Sequence, residues 1–395
     1  MRRQACRGDS DRRQGLYALC LQYPMEMTHM MVKQQYKVSF VTPAFLGDAD
    51  QNGAWRTPPF KALLRQWWRV VAAKDHGYDH VKLREAEGRL FGNAWLENNF
   101  SQSQVKLRLD NWRSGKMSSW AETPKNITHP EIKFPIDSNL YLGYGPLTRN
   151  KEIKKTTFKD KVNAAIQAEE SNLLKIINSD QSSSAIHKTL QLIHWFGTLG
   201  GRSRNGWGSL LLEGSKLKGL EALKQSDPLL NELAKPLDQC LDCTWPHAIG
   251  KDQGCLLIWI SKKSHDTWRE AMMELAKIKI EFRTNLTFVK DKGKLDQRHV
   301  LAYPVTRHPV NAWEKYKVAW SSGTRNGRLA NQIRFKVTKD AKGKYLSLVY
   351  HMPCSIPEEL LNTFESEDRT WIVGQQIDIW QSVHGVLDKQ MQRIP

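Results

Sequence analysis

Residues 200–208, with the sequence GGRSRNGWG, combine at short spacing the residue types that bind a polyanion. Glycine lets the backbone adopt positive φ angles and brings its N–H groups close to a ligand, while the planar guanidinium of arginine supplies charge and a stacking surface. We therefore predict that this glycine-rich loop contacts a nucleotide, an anionic lipid or the backbone of RNA. The candidate contact residues are Gly200, Gly201, Arg202, Ser203, Arg204, Asn205, Gly206, Trp207 and Gly208.

The sequence on either side of the loop argues against the common nucleotide-binding motifs. Residues 183–196 carry apolar side chains at helical spacing, with Ile186, Leu190 and Ile193 on one face, and the strand-like sequence SLLLEG follows the loop. A P-loop ends in GK[ST] and opens a helix, and a Rossmann fingerprint follows a strand. Here the order is helix, loop, strand. The simplest alternative to a ligand contact is an ordinary turn that is basic.

A second group of cations lies on a helix that is predicted to start at Thr57, with Thr57 as N-cap and Pro58 in the first turn. Lys61, Arg65 and Arg69 are spaced i, i+4, i+8 along one face. They are suited to a nucleic-acid contact, and a solvated basic face is the alternative. The adjoining face is apolar and is predicted to pack: Phe60, Leu64, Trp67, Trp68 and Val71.

Two further patterns offer side chains that are able to act as a general acid or base. Asp48 and Asp50 lie in the turn-like sequence GDADQNG, and His194 lies one turn before the glycine-rich loop. A loop carboxylate or an imidazole with a pKa near neutrality is able to move a proton in strand cleavage. Turn formation by the aspartates and packing of the histidine at a helix edge are the simpler interpretations.

A cysteine and histidine pattern raises the alternative of a zinc-stabilised module. Cys240, Cys243, His247 and Cys255 are four potential ligands within sixteen residues, compatible with a Cys₃His structural site. The spacing of the second pair does not match the usual zinc motifs. Cys255 also opens a predicted strand, where a small buried thiol is ordinary. We therefore expect no metal and keep zinc as the alternative.

The composition points to a soluble protein that meets a polyanion. The chain has 395 residues, a formal net charge of +18 and 15 tryptophans. Such a charge attracts nucleic acid or an anionic surface, DNA included, and tryptophan offers faces for base stacking. No run of about 18 apolar residues and no signal peptide is visible, and the six cysteines form no disulfide framework. We expect a cytoplasmic protein without membrane contact.

The order of the predicted elements indicates an α+β fold, with two tandem ferredoxin-like (RRM-like) domains. Residues 1–30, arginine-rich and without apolar periodicity, are expected to be a disordered extension. The first domain then covers residues 31–214, a helical connection covers 215–250, and the second domain covers 251–395. Strands are predicted at 36–41, 255–260, 332–338 and 344–350, and helices at 266–276 and after Pro357.

Three motifs, in order along the chain, resemble the RAMP superfamily of CRISPR effector subunits. They are Thr42-Pro43-Ala44-Phe45-Leu46-Gly47, KALLRQWWR at 61–69, and Glu87-Gly88-Arg89-Leu90-Phe91-Gly92. The glycine-rich loop at 200–208 matches the superfamily hallmark after the second helix of an RRM-like domain. Within the superfamily, the chain is most similar to the first-named RAMP subunit of the type III-B Cmr complex. A weaker similarity covers RLANQIRF at 328–335.

The resemblance implies a non-catalytic RNA-binding subunit of a type III CRISPR-Cas effector complex, without a cofactor. Such a subunit lies near the 3′ end of the guide RNA, contacts complementary target RNA and other Cas subunits, and serves antiviral defence. The glycine-rich loop is then the first expected RNA contact, and Lys61, Arg65 and Arg69 are the second. Arg328 and Arg334 are the third, in a groove prolonged by the second half. Because some RAMP proteins cleave RNA, an endonuclease using Asp48, Asp50 or His194 is the alternative.

Overall fold

The described part of the computed structural model comprises residues 30–94, 100–160, 162–287, 293–305, 308–315, 317–320, 323–326 and 328–395. Except for Met30, the extension predicted at 1–30 lies outside these residues. The predicted α+β composition is confirmed, because helices alternate with several antiparallel sheets. None of the helices in these ranges combines the length and the apolar character needed to cross a membrane.

The first half contains a four-stranded antiparallel sheet with helices on one face. Its strands and helices are β1 (Met31–Phe40), α1 (Thr57–Ala72), α2 (His80–Phe91), β2 (Lys106–Leu109), α3 (Ser138–Gly143), β3 (Ser171–Ser179), α4 (Asp180–Phe196) and β4 (Leu210–Glu213). The strand order is β4-β1-β3-β2. In β1, Tyr36, Val38 and Phe40 are buried while Lys33 and Lys37 are exposed, so this sheet has one solvated face.

The second half repeats the order β-α-β-β-α-β that the first half has when α2 and α3 are left out. It consists of β5 (Ile258–Ile260), α5 (Trp268–Asn285), β6 (Ile333–Lys339), β7 (Tyr345–His351), α6 (Ser366–Gln390) and β8 (Gln392–Arg393). The strands are arranged β6-β7-β5-β8, all antiparallel. In both sheets the strands lie side by side in the same order: the last strand of that half, then its first, its third and its second. The helix predicted after Pro357 is the short helix Glu358–Leu361, and the long helix begins at Ser366.

Shorter elements connect these units. The helices are Leu220–Lys224, Pro228–Leu233, Leu237–Cys240, Gln297–Leu301, Asn311–Lys315 and Glu358–Leu361, with a 3₁₀ turn at Lys74–His76. The short strands are Ala54–Trp55, Arg113–Ser114, Asn126–His129, Ile132–Asp137, Leu147–Arg149, Thr156–Phe158, Ala234–Pro236, Ile249–Asp252, Cys255–Leu256, Lys317–Trp320 and Gly323–Asn326. The helical connection predicted after residue 214 is therefore broken into short helices and strands.

Helix α1 shows how the sequence pattern becomes packing. It begins at Thr57 as predicted, but the N-cap is Arg56 without a side-chain cap, and the hydroxyl of Thr57 instead accepts from Trp112 Nε1 at 3.2 Å. Trp67 and Trp68 are buried, which confirms that they pack. Trp67 stacks on Phe196 of α4 with ring centroids 5.6 Å apart. The two helices thus form one layer over the first sheet.

The second sheet is covered on both faces. Ile258, Ile260 and Leu348 belong to the apolar core of the first half, whereas Trp259 and Val349 belong to the core under α5 and α6. A strand buried on both sides needs consecutive apolar residues, which explains the sequence CLLIWI at 255–260. The layers are therefore first sheet, α1 with α4, second sheet, α5 with α6. The two halves share their middle layer.

The glycine-rich loop completes the free edge of the second sheet. Strand β6 pairs with β7 on one side only, and on its other side Phe335 N donates to Arg204 O at 3.0 Å. Val337 N donates to Ser209 Oγ at 2.9 Å. Edge N–H groups that would otherwise need water or another chain are thereby satisfied within the molecule. This pairing fixes the loop at the junction between the two halves.

Candidate nucleic-acid interface

The glycine-rich loop has a buried part and an exposed part. Gly206, Trp207 and Gly208 are buried, whereas the side chains of Arg202 and Arg204 are exposed. Gly208 has φ +63, and a Cβ there would lie 1.9 Å from Leu199 O, so only glycine fits. The loop therefore turns tightly into the core directly after it presents its two arginines.

Trp207 is a core residue, contrary to the prediction that it contacts RNA. Its side chain is 0% exposed. Its ring centroid lies 5.2 Å from that of Phe45, 5.6 Å from Trp120 and 5.9 Å from Trp268. Trp268 opens α5, so this aromatic cluster joins both halves. The ring has no free face for a base, and its contribution is to hold the loop in place.

Asn205 connects the loop to two helices. Its Nδ2 donates to Leu142 O of α3 at 2.8 Å, and its Oδ1 accepts from Lys279 Nζ of α5 at 3.0 Å. The Lys279 ammonium also lies 5.5 Å from the centroid of the Tyr141 ring. The asparagine thus has an internal anchoring role, and through it the loop positions a lysine from the second half.

The helices that supply these partners are fixed by their caps. The first turn of α3 is capped by Asp137, whose Oδ1 accepts from Asn139 N at 3.0 Å. Helix α5 begins with a capping box formed by Thr267 and Glu270. On α5, Lys279 and Arg283 are spaced i, i+4 and therefore lie on the same face. That face is directed towards α3 and the glycine-rich loop.

Four cations gather where the loop meets α5, and we call them the seam cluster: Arg202, Lys279, Arg283 and Arg328. Burial, then Arg283 and then Arg202, together lower the pKa of Lys279 to about 7. Partial burial and then Arg328 lower the pKa of Arg202. Within the described ranges no carboxylate oxygen lies within 4.0 Å of any of the four, the distance that defines an ion pair.

Glu131, an acidic residue that interacts with Arg283, already has an ion-pair partner. Glu131 Oε1 accepts from Arg298 Nη2 at 2.5 Å, and this hydrogen bond lowers the pKa of Glu131. Arg298 is buried, with 5% of its surface exposed. Burial raises the pKa of Tyr141, whose hydroxyl has no hydrogen-bond partner among the described residues, and Arg283 acts in the opposite direction. Arg283 also lowers the pKa of Glu131, but the ion pair recorded for this carboxylate is with Arg298 and not with the seam cluster.

Tyr144 is a functional candidate that the sequence reasoning missed. It follows α3, its side chain is 67% exposed, and it influences the pKa of Arg202. At the next residue, Gly145, a Cβ would lie 3.2 Å from Arg202 Nε and Nη2, so the guanidinium rests against this glycine. The sequence Tyr-Gly-Pro at 144–146 carried the signal, since an aromatic residue in a tight turn is held at the surface.

Two of the three cations on α1, unlike those of the seam cluster, form ion pairs with an acidic residue in the described part of the chain. Arg65 and Arg69 both form ion pairs with Glu87 of α2, and Arg69 Nη2 donates to Glu87 Oε1 at 2.8 Å. Glu87 is 2% exposed. Burial raises its pKa, but the hydrogen bonds from both arginines outweigh this and lower it overall. Burial and then Arg65 lower the pKa of Lys61. Two of the three predicted contacts on this helix therefore serve the packing of α1 on α2.

The structure separates Arg328 and Arg334, which were the third group of predicted RNA contacts. Arg328 is exposed and belongs to the seam cluster. Arg334 is 6% exposed and lies in β6 next to Arg204, so it is not part of an open groove. The loop thus directs its two arginines to different neighbourhoods, Arg202 to the seam cluster and Arg204 to Arg334.

Comparison with known proteins identifies part of the chain. The family model of the RAMP superfamily matches residues 37–211. We call this matched segment the RAMP domain. The match runs from β1 to β4 and includes the glycine-rich loop. No curated protein matches the chain significantly.

Solved structures add weaker similarities. Cmr1 from Pyrococcus furiosus, in its apo form, is 15% identical, with 87% of this chain and 97% of that chain covered and a TM-score of 0.43. A chain of the type III-B Cmr-beta complex bound to cognate target RNA is 12% identical, with 90% and 99% covered and a TM-score of 0.43. A second Cmr-beta state, with target RNA and AMPPnP, is 12% identical, with 87% and 100% covered and a TM-score of 0.41.

The RAMP domain does not present the predicted catalytic alternatives in a reactive arrangement. Asp48 Oδ1 accepts from Asp50 N and from Asn52 N, both at 2.9 Å, which is a turn-forming role. His194 lies at the edge of α4, where burial and then Lys336 lower its pKa to about 4. Its ring is therefore neutral at pH 7 and half-buried.

The cysteines after the RAMP domain do not assemble a metal centre. Cys240 Sγ donates to Lys235 O at 3.4 Å, and His247 Nδ1 lies 2.8 Å from Trp245 O. Cys255 lies in a hairpin opposite Asp252. Over the described residues, no group of three or more His, Cys, Asp or Glu side chains is arranged to hold a metal ion. The spacing of Cys240, Cys243, His247 and Cys255 therefore does not translate into a zinc site.

Proposed function

We propose that this chain is a non-catalytic RNA-binding subunit of a type III-B CRISPR-Cas effector complex. In this role it contacts guide RNA near its 3′ end and complementary target RNA, works in the cytoplasm beside other Cas subunits, and serves antiviral defence. The observation that carries the RNA contact is the seam cluster, in which four cations from both halves meet without a carboxylate among the residues that the structure describes. Membership of a Cmr-type complex rests on the motifs at 42–47, 61–69 and 87–92.

Electrostatics favours a polyanion at the seam cluster. Cations that converge without acidic partners repel each other, and the repulsion is strongest where water is partly excluded, as the lowered pKa of Lys279 indicates. A chain of phosphates removes this repulsion at several points at once and releases its counterions. Three of the four residues are arginines, which bind phosphate oxygens with two parallel hydrogen bonds.

The exposed ring of Tyr144 favours single-stranded RNA over a duplex. Bases in a duplex are stacked on each other, whereas a single strand offers free faces to an aromatic side chain beside a basic groove. Tyr144 lies directly beside Arg202. Phosphate contacts by the seam cluster and one stacking contact by Tyr144 together describe a sequence-tolerant binding site.

We interpret both halves as ferredoxin-like domains, at 31–214 and 251–395, joined by 215–250. The supporting observation is that each half has the element order β-α-β-β-α-β and an antiparallel sheet in which the last and the third strands flank the first. The joining segment contributes Leu223, Leu230 and Leu233 to the first core. It is therefore a packed connection and not a free linker.

The experiment that tests RNA binding compares single-stranded RNA with duplex DNA at matched salt by filter binding. We expect tighter binding of the RNA, and a loss of affinity in Arg202→Glu. Lys82→Glu is the matched control, because it changes the net charge equally at an exposed residue of α2. Equal affinity for both polymers, or an equal loss in both variants, would indicate attraction by net charge alone and contradict the proposed site.

A separate experiment tests the absence of catalysis. Asp48→Ala and Asp50→Ala are introduced into the subunit, and the effector complex is assembled with guide RNA. Because Asp48 accepts backbone hydrogen bonds within its own turn, we expect target cleavage to be unchanged. Loss of cleavage with retained target binding would assign this chain an endonuclease function instead.

A further inference from the structure

Strand β6 carries two buried cations, Arg334 and Lys336, and they are stabilised differently. Residues two apart in a strand point to the same face, here the face that packs on α1 and α4. Lys336 is 0% exposed, and its Nζ donates to His194 O at 2.7 Å and contacts Ile193 O at 3.5 Å. These carbonyls end α4, where the helix dipole is negative. Burial also lowers the pKa of Lys336 well below its usual value, so the amine is accommodated by loss of its proton as well as by these hydrogen bonds.

Arg334 is not accommodated in this way. It is 6% exposed, its Nε has no hydrogen-bond partner, and none of the described carboxylates forms an ion pair with it. Its cross-strand neighbour Tyr350 is neutral, and the hydroxyl of Tyr350 donates its hydrogen bond to Phe196 O at 3.0 Å. An arginine keeps its proton in a protein, so it cannot escape burial by becoming neutral.

The guanidinium of Arg204 lies in the same neighbourhood as that of Arg334. Phe335 N donates to Arg204 O at 3.0 Å, and Asn205 lies opposite Phe335 in a parallel bridge. The backbone therefore sets Arg204 beside Arg334. Burial and then Arg334 lower the pKa of Arg204, whose side chain remains exposed. One guanidinium thus lies inside and one at the surface, again without an acidic partner among the described residues.

We propose that Arg204 and Arg334 form a binding site for one phosphate group, with Arg334 at its base and Arg204 at its mouth. A phosphate matches two forks that come from different chain segments, because it presents oxygens in several directions, whereas a carboxylate presents two in one plane. The site is distinct from the seam cluster, since the charged neighbour of Arg204 is Arg334 whereas that of Arg202 is Arg328. Only its RNA source depends on the proposed function.

The first test measures thermal unfolding of the full chain in inorganic phosphate and in chloride at equal ionic strength. The Tm of the wild type should rise with phosphate concentration. Arg334→Met should abolish this rise and increase the Tm in chloride, because it removes an unpaired buried charge. Lys336→Met is the control and should lower the Tm in both buffers. An unchanged phosphate effect in Arg334→Met, or no effect in the wild type, would overturn the proposal.

Arg204→Ala keeps the test decisive if Arg334→Met fails to fold. The side chain of Arg204 is exposed, so its removal leaves the core intact, and the phosphate-dependent rise in Tm should be lost or strongly reduced. A rise equal to that of the wild type would exclude a phosphate site at this position.

The second test distinguishes the sources of the phosphate. Single-stranded RNAs of one sequence, ending in a 3′-hydroxyl or a 3′-phosphate, are bound to wild type and Arg334→Met. If the site holds a phosphodiester, the variant should bind both RNAs about tenfold more weakly. If it holds a terminal phosphate, only the phosphorylated RNA should lose affinity. Unchanged affinity for both would exclude RNA as the source, while the Tm series still tests the phosphate site itself.

Discussion

The arginines of α1 and those of the seam cluster look alike in the sequence but are held differently. Arg65 and Arg69 converge on Glu87, a carboxylate that is 2% exposed. Arg202 and Arg283 lie beside Lys279 with no acidic partner in the described chain. The first pair is part of the packing between two helices, and the second retains its charge for a ligand. A row of cations therefore marks a binding surface only where no buried acid neutralises it.

The largest expected effect is on stability at α1. Arg65→Ala combined with Arg69→Ala leaves the buried carboxylate of Glu87 unpaired, and we expect the free energy of unfolding to fall by about 3 kcal/mol. Because the pKa of Glu87 is lowered in the folded chain, this contribution is fully present above its ordinary value and disappears as the pH falls through the lowered one. Urea unfolding at pH 7 and at acidic pH measures both. A double variant as stable as the wild type would remove the difference between the two clusters.

The matched change at the seam cluster is Arg202→Ala combined with Arg283→Ala. We expect RNA affinity to fall about 100-fold, at about tenfold for each lost phosphate contact. The slope of log affinity against log salt should become shallower by about 1.4, or about 0.7 for each contact with a single strand. Filter binding over a salt series measures both. The α1 double variant should keep its RNA affinity at a temperature where it is folded, and a comparable loss there would contradict the comparison.

The pH dependence of RNA binding tests whether Lys279 contacts the RNA. Its pKa is about 7 in the free chain, and a nearby phosphate should raise it, so binding takes up a proton. Affinity should therefore fall as the pH rises from 7 to 9, by at most about tenfold per pH unit for one proton. Lys279→Met should make the profile flat in this range, where arginines do not titrate. A wild-type profile that is already flat would show that Lys279 does not face the RNA.

The smallest expected effect concerns the two aromatic residues near the loop. Tyr144→Ala should weaken RNA binding about fivefold, the lower end of the range for one stacked base. Tyr144→Phe should restore the affinity, because the ring is retained. Trp207→Ala should instead lower stability by about 3 kcal/mol or more through loss of core packing. Fluorescence anisotropy with labelled RNA and urea unfolding separate the two effects, and a selective RNA defect in Trp207→Ala would reverse the assignment.

Many of the helices and strands were predictable, because the spacing of apolar residues and the positions of turn residues are local properties of the sequence. The apolar spacing of 183–196 predicted α4, and the strands predicted at 332–338 and 344–350 lie within one residue of those observed at 333–339 and 345–351. Arg202 and Arg204 were found from the glycine-rich loop, although their different neighbourhoods were not. The prediction that Thr57 caps α1 was wrong. Its hydroxyl instead accepts a hydrogen bond from Trp112, which lies 55 residues away in the sequence. Side-chain competition of this kind has no signature in a local pattern.

The sequence by itself determined the charge of the chain, the order of its elements and the RAMP domain between 37 and 211. The tertiary structure decided which charges remain available. Glu87 lies 18 and 22 residues from its arginines, and Lys279 lies 74 residues from Asn205, so neither pairing is visible before the chain folds. It also decided that Trp207 is buried and Tyr144 is exposed. The physical reason is that burial and ion pairing depend on distances in space, which helix and strand packing sets and sequence spacing does not.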